Sequence, residues 1–290
     1  MSKKKKGNNP EQAVNEQQAA AVEETAAENT APADELDDMF DFDDDPLGAT
    51  GVSRKSLVIF FLIDTSGSMK GTKMGELNTV MEELVPEIRK VGEADTEVKL
   101  AVLTFSTDVK WMYSEPIAIE DFEWARLNAK GVTSMGAAFK ELNTRMSRNS
   151  FLNSPSLSFA PVIFLMTDGY PSDDYKEGLK ELSTNSWYKF GLKAALGIGN
   201  EANDDMLAEF TGSKDTVVHA YSGNQLAQMI KIVAVTASQI GSKSMTLADQ
   251  NEAELSDEDV YASKQKMLGQ QIQELVNQNE SDDVSFDTGW

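Results

Sequence analysis

Five oxygen-bearing side chains, in three separated stretches of this 290-residue chain, have types and spacings suited to holding a divalent cation. They are Asp64, Ser66 and Ser68 in Asp64-Thr65-Ser66-Gly67-Ser68, Thr133 in Gly131-Val132-Thr133-Ser134-Met135-Gly136, and Asp168 in Asp168-Gly169. Asp64, Ser66 and Ser68 alternate across a short loop that Gly67 allows to turn tightly, so all three can face one point. Oxygen-only, near-octahedral coordination at about 2.0–2.1 Å suits Mg²⁺, with Mn²⁺ as a substitute and Ca²⁺ admitted if the loop relaxes. Hydroxyls are neutral, so a cation held by Ser66, Ser68 and Thr133 keeps most of its charge, while Asp64 and Asp168 orient bound waters. A metal of that kind stays electrophilic and keeps an open position. An incoming Asp or Glu carboxylate from a protein partner is its natural last ligand, which makes the cation a contact point rather than a catalyst.

Positioning these groups falls to strands that alternate with helices from residue 56 onward, the pattern of a parallel sheet covered on both faces. Leu57 to Ile63 is apolar without interruption, as a central strand buried on both sides must be. Pro161 to Met166 reads the same way, so Asp64 and Asp168 each fall at the carboxyl end of a buried strand, where open sheets bind ligands. Further strands are expected at Val98–Phe105, 190–198 and 216–221, and Val109–Tyr113 must pair antiparallel with its predecessor because no crossover fits between them. A helix is expected from Lys73 to Val91, with Met74, Leu77, Val80, Met81, Leu84, Val85 and Ile88 on one face and Pro86 threatening a kink. Other helices are expected within Val132–Met146 and at 174–184, 203–211 and 224–239. The fold class that follows is α/β, a Rossmann-like, doubly wound, mostly parallel sheet with one antiparallel edge strand.

Composition sets the limits of this domain. The net charge is −22, and the ends carry most of it: residues 1–55 hold 6 Lys/Arg against 13 Asp/Glu, and residues 243–290 hold 3 against 11. The expected organisation is a disordered acidic tail at 1–55, one folded domain at 56–241 and a second acidic tail at 242–290. Within the first tail, Leu36, Met39, Phe40 and Phe42 interrupt the acidic block Asp34–Asp45, which is either a solubilising stretch or an acidic, aromatic docking peptide. Its carboxylates are also candidates to occupy the metal site when no partner is present. The second tail contains Leu268, Ile272, Leu275 and Val276 at helical spacing, one stripe on a short helix near 262–278 that either docks back on the domain or serves a partner. Such an acidic chain argues against nucleic acid or an anionic membrane as partner. With no cysteine, disulfides and thiolate chemistry are excluded. Lys3-Lys4-Lys5-Lys6 is followed by Gly, Asn and Pro instead of an apolar run, and Leu57–Ile63 is far short of the roughly 20 residues of a membrane span, which together read as cytoplasmic.

Asp-x-Ser-x-Ser at 64–68, the Thr133 loop and Asp168-Gly169 after a strand resemble the metal-ion-dependent adhesion site (MIDAS) of the von Willebrand factor type A (vWA) domain family, over about residues 56–240. The resemblance implies Ser66, Ser68 and Thr133 as direct ligands and Asp64 and Asp168 acting largely through water. More narrowly, Leu62 to Met69, Gly136-Ala137-Ala138 and Met166 to Ser172 are similar to the bacterial cytoplasmic, TerY-like branch linked to tellurite and chemical-stress resistance. That branch implies an adaptor or scaffold role beside a protein kinase and a PP2C-type phosphatase. The alternative within the family is the vWA partner of a MoxR-type AAA+ ATPase or metal chelatase.

Other chemistries fit less well. Asp64 after an apolar strand is similar to the nucleophile of haloacid-dehalogenase-like phosphatases, but Ser66 stands where those enzymes need a second Asp. His219, the only histidine, lies in an expected strand with no Ser or Cys partner and reads as structural. Asp-x-Ser-x-Ser can also be helix capping, and Asp-Gly an ordinary turn. No phosphate-binding Gly-rich loop is present, so no enzyme activity is expected.

Overall fold

The computed structural model describes residues 55–90, 96–153, 158–242 and 256–282. These belong to one of the chain's two units, Gly51–Trp290, and the other, Met1–Thr50, lies outside them. The acidic block Asp34–Asp45, with its docking and metal-occupying roles, and the end of the chain beyond residue 282 therefore also lie outside the described residues.

The centre of the sheet is β1 (Lys55–Asp64), buried from Leu57 to Asp64. Because side chains alternate across a strand, its odd and even residues enter different cores. Leu57, Ile59, Phe61 and Ile63 join one apolar cluster, together with residues of α1 (Thr72–Ile88), α6 (Gly223–Ser242) and α7 (Asp257–Asp282). Val58, Phe60 and Leu62 join the other, against α2 (Met135–Arg145), α3 (Tyr175–Leu182) and α5 (Asp204–Thr211). An uninterrupted apolar run is thus the signature of a strand with a core on each side. Each buried Phe or Leu contributes about 1.5–3 kcal/mol.

Parallel to β1 run β2 (Thr96–Phe105) on one side and β5 (Val162–Thr167) on the other, followed outward by β6 (Leu192–Ile198) and β7 (Val217–Ala220). The expected antiparallel neighbour is β3 (Val109–Trp111), and a two-residue β4 (Ile117–Ala118) adds a second antiparallel contact to the same strand β2. Strand order is β3-β2-β1-β5-β6-β7, so the chain leaves β1 first to one side and later to the other. The switch point lies between β1 and β5, the position at which open sheets of this kind bind ligands.

Every apolar residue expected on the buried face of α1 is buried. Two small elements had no periodic signal strong enough to be expected: β4, and the one-turn α4 (Ser186–Phe190). The helix anticipated near 262–278 is longer, spanning Asp257–Asp282, and it docks on the domain. Leu268 and Ile272 are fully buried in the β1 cluster, with Val276 packed at its margin. Its start is set by a capping box at Ser256 and Asp259, in which Ser256 Oγ accepts the Asp259 N–H and the Asp259 carboxylate accepts the Ser256 N–H, each at 3.3 Å. Gln265 fixes its register by bonding the exposed edge of β6 as a strand would. Its Oε1 accepts the Lys193 N–H at 2.9 Å and its Nε2 donates to the Lys193 carbonyl at 2.7 Å.

Candidate metal centre

Asp64 ends β1 and Asp168 follows β5, so the two carboxylates stand on either side of the switch point, both fully buried. In the register of the strand pair, Ile63 faces Met166, which sets Asp64 beside Thr167. The Thr167 hydroxyl donates to Asp64 Oδ2 at 2.6 Å, and the Ser66 N–H donates to Asp64 Oδ1 at 2.8 Å. Ser66 Oγ lies 3.0 Å from Ser68 Oγ, and the Ser68 hydroxyl donates to Asp168 Oδ1 at 2.7 Å. Four of the five residues singled out by the sequence therefore form one hydrogen-bonded run, Asp64–Ser66–Ser68–Asp168. Ser66 is buried and Ser68 exposed, so the run, buried at both ends, opens to solvent at Ser68.

Thr133 joins through its loop rather than through its side chain. The Gly67 N–H donates to the Gly131 carbonyl at 2.9 Å and the Lys130 N–H to the Thr65 carbonyl at 2.7 Å, which lashes this loop to the Ser66 loop. On its other side the Thr133 carbonyl accepts the Ser172 N–H at 2.8 Å, from the loop that carries Asp168. Asp173 strengthens that link by capping α2, its two oxygens each accepting, at 2.9 Å, from the N–H groups of Gly136 and Ala137. Thr133 is buried, and among the described residues nothing bonds its hydroxyl.

Glycine acts here in two ways. Gly67 does not have a positive φ and serves the tight loop by close approach: a Cβ there would lie 3.3 Å from the Gly131 carbonyl oxygen. Gly131 itself has φ +83°, and a Cβ would lie 2.3 Å from Thr107 Oγ1.

Capping does not account for the serines. Ser66 makes no side-chain cap to the short turn it precedes, and α1 begins after Gly71, so neither hydroxyl is occupied with helix N–H groups. The donor set is three hydroxyls and two carboxylates, all oxygen, which fits a hard divalent cation. Among the described residues no group of three or more His, Cys, Asp or Glu comes together, so ligation by several anionic or imidazole groups has no other seat there. Burial pushes the Asp64 carboxyl above the usual carboxylate range, against hydrogen bonds from Thr167 and Ser66 that favour the charged form. A nearby cation would reverse that balance.

Two contributors escaped the sequence reading. Thr167 reads only as the last residue of an apolar strand. Lys73 Nζ lies 2.7 Å from Asp168 Oδ2, with its side chain 20% exposed and that of Asp168 fully buried. The signal for it was available: a lysine in the first turn of α1 opposes the helix dipole and needs an anion nearby. His219 is structural as expected, its Nε2 3.1 Å from Asp204 Oδ1 and its ring stacked on Tyr221.

An open, doubly wound α/β sheet with an oxygen-only cluster at its switch point defines a class of ligand-binding modules rather than one activity. The chain belongs to the von Willebrand factor type A domain family, whose sequence model matches residues 59–234. Domains of this family are typically non-enzymatic protein-interaction modules, commonly dependent on a divalent metal. No curated protein matches the chain. Among solved structures, the pilus adhesin SpaC from Lactobacillus rhamnosus GG matches with TM-score 0.50 at 13% identity, over 66% of this chain and 31% of that one. A von Willebrand factor type A protein from Catenulispora acidiphila matches with TM-score 0.46 at 18% identity, over 64% and 43%. Proximal thread matrix protein 1 from the mussel byssus, with a zinc-occupied MIDAS motif, matches with TM-score 0.48 at 17% identity, over 64% and 46%. The chain spans less than half the length of each of these structures. No helix among the described residues is long and apolar enough to cross a membrane.

Proposed function

We propose that this protein is a divalent-metal-dependent interaction module. Ser66, Ser68 and Thr133 would hold the cation directly, and Asp64 and Asp168 would act through bound water. Mg²⁺ is the expected ion, on the hardness of the donors. When bound, the metal supplies an electrophilic contact for an Asp or Glu carboxylate of a partner protein. The observation that carries this reading is the hydrogen-bonded run from Asp64 through Ser66 and Ser68 to Asp168 at the switch point, open to solvent at Ser68. Binding rather than catalysis is favoured because Ser66 stands where a phosphatase of this topology would need its second acid.

The wider role we infer is that of a cytoplasmic adaptor or scaffold in a bacterial tellurite or chemical-stress complex, beside a kinase and a PP2C-type phosphatase. It rests on the similarity of Leu62–Met69 and Met166–Ser172 to the TerY-like branch. Pull-down from the native host tests both levels, using wild type, Asp64→Ala and the more exposed Ser68→Ala, each with Mg²⁺ and with chelator. A partner retained only by wild type with metal supports the module and names its client. Partners indifferent to metal and to both substitutions would overturn it.

A further inference from the structure

The loops that carry Thr133 and Asp168 also carry apolar groups that the domain leaves uncovered. Among the described residues four large hydrophobic side chains are strongly exposed, and two of them are Val132 (52%), adjacent to Thr133, and Tyr170 (66%), two residues after Asp168. Their loops are tied together by the Ser172 N–H on the Thr133 carbonyl, so the two groups flank one opening. Tyr221, 44% exposed, follows β7 at the same carboxyl edge of the sheet. Neither Val132 nor Tyr170 belongs to either core cluster, so folding does not require an apolar residue at either place.

The charges around the opening run against the character of the chain. In a protein of net charge −22, Lys70 and Lys130 sit exposed on the loops that meet at Thr65 and Gly67. Neither forms an ion pair with a described residue, whereas Lys73 is engaged by Asp168 and Arg126 by Glu82. The acids nearby are already engaged, Asp173 and Asp174 in capping α2 and α3 and Asp108 with Lys110, so the uncommitted charges beside Val132 and Tyr170 are those of Lys70 and Lys130, which together with the apolar groups complement a ligand that is acidic and apolar.

Resting on the metal-dependent reading above, we propose that the occupant is an extended acidic segment of a partner protein that carries an aromatic or large aliphatic residue two positions from the metal-bound Asp or Glu. The spacing follows from backbone dimensions. Val132 is one Cα step, about 3.8 Å, from Thr133, and Tyr170 is two steps from Asp168. In an extended peptide, side chains on one face repeat about every 6.6–6.8 Å, so a residue at i−2 or i+2 from the carboxylate comes over these groups. Lys70 and Lys130 steer the approach and meet further carboxylates of the segment.

Fluorescence anisotropy on the full chain tests this with three labelled peptides: Gly-Phe-Ser-Glu-Ser-Phe-Gly, the same peptide with Gln for Glu, and the same peptide with Ser for both Phe. Mg²⁺ affinity is measured separately by calorimetry on every variant. With Mg²⁺, the Phe-bearing acidic peptide should bind about tenfold more tightly than the Ser-bearing one, and the Gln peptide should not bind. In the double variant Val132→Ser, Tyr170→Ser the tenfold advantage should vanish, with Mg²⁺ affinity and binding of the Ser-bearing peptide unchanged. Equal affinity of the two acidic peptides, or an advantage that survives the double variant, overturns the inference while leaving the metal site standing. With metal demonstrably bound, failure of the Phe-bearing acidic peptide to bind at about 1 mM also overturns it. Failure of Mg²⁺ itself to bind overturns the metal reading, and the inference with it.

Discussion

Replacing Lys73 by Met removes the ammonium from Asp168 while keeping a side chain of similar length, and the consequences differ with and without metal. The ion pair is 2.7 Å long and its carboxylate fully buried. Breaking one partner of a buried pair leaves an uncompensated charge, a loss of about 3–5 kcal/mol. The partial exposure of Lys73, and the bond Asp168 keeps from Ser68, reduce this to about 2–3 kcal/mol. The same ammonium repels a bound cation. A divalent ion and a unit charge about 6 Å apart at an effective dielectric of about 20 repel by about 5 kcal/mol, of which solvent at the exposed Ser68 leaves roughly 1–2. Lys73→Met should therefore bind Mg²⁺ about tenfold more tightly, which at saturating metal returns about 1.4 kcal/mol of stability. Urea denaturation in chelator and in Mg²⁺, with calorimetric titration of the metal, measures both quantities. The expected result is a deficit of about 2–3 kcal/mol in chelator that shrinks to about 1 in Mg²⁺. Equal deficits in the two buffers, or unchanged metal affinity, would refute the idea that Lys73 and the metal neutralise the same carboxylates.

Three further outcomes follow from geometry. Gly131→Ala should lower stability by about 2–3 kcal/mol and weaken Mg²⁺ binding at Thr133, because a Cβ would meet Thr107 Oγ1 at 2.3 Å. Gly71→Ala, at the same φ of +83° but with nothing within 4 Å of its Cβ, should lose only about 1 kcal/mol with metal affinity intact; equal losses in the two variants would mean that φ alone matters. Gln265→Ala should lower stability by about 1–2 kcal/mol and speed hydrogen exchange at the Lys193 amide, and unchanged protection there would show that apolar packing alone holds α7. Burial pulls the Lys193 ammonium down to about 8, so between pH 8 and 10 the native protein binds fewer protons than the unfolded chain, and stability should rise with pH across that window. Carbonyls of Gly191 and Tyr188, at 2.8 and 3.0 Å, oppose the shift and limit the gain to about 1–2 kcal/mol. A pH profile that Lys193→Met does not flatten would assign the effect to other groups.

Much of the domain was legible in residue order because its signals are local. A strand buried on both faces has to be apolar throughout, so β1 and β5 announced themselves, and the acids just beyond them had to lie at the carboxyl edge. The periodic face of α1 was equally plain, since its seven apolar positions report only whether one side of that helix is covered. Ser66 and Ser68 could be named from spacing alone because they share a loop with Asp64.

What tertiary structure decided was which distant groups meet. Thr167 and Asp64 are 103 residues apart, and Lys73 and Asp168 are 95 apart, so only the parallel register of β1 with β5 and the approach of α1 make them partners. The place of Lys73 in the first turn of α1 says that it needs an anion but not which one. The stripe Leu268–Ile272 required a covered surface without naming it, and the edge of β6, left free by the shorter β7, supplied the seat. Periodicity and residue type report whether a group must be buried or can ligate. The identity of its partner depends on how the sheet and helices pack, because contacts between distant residues form only when the whole fold closes the long loops between them.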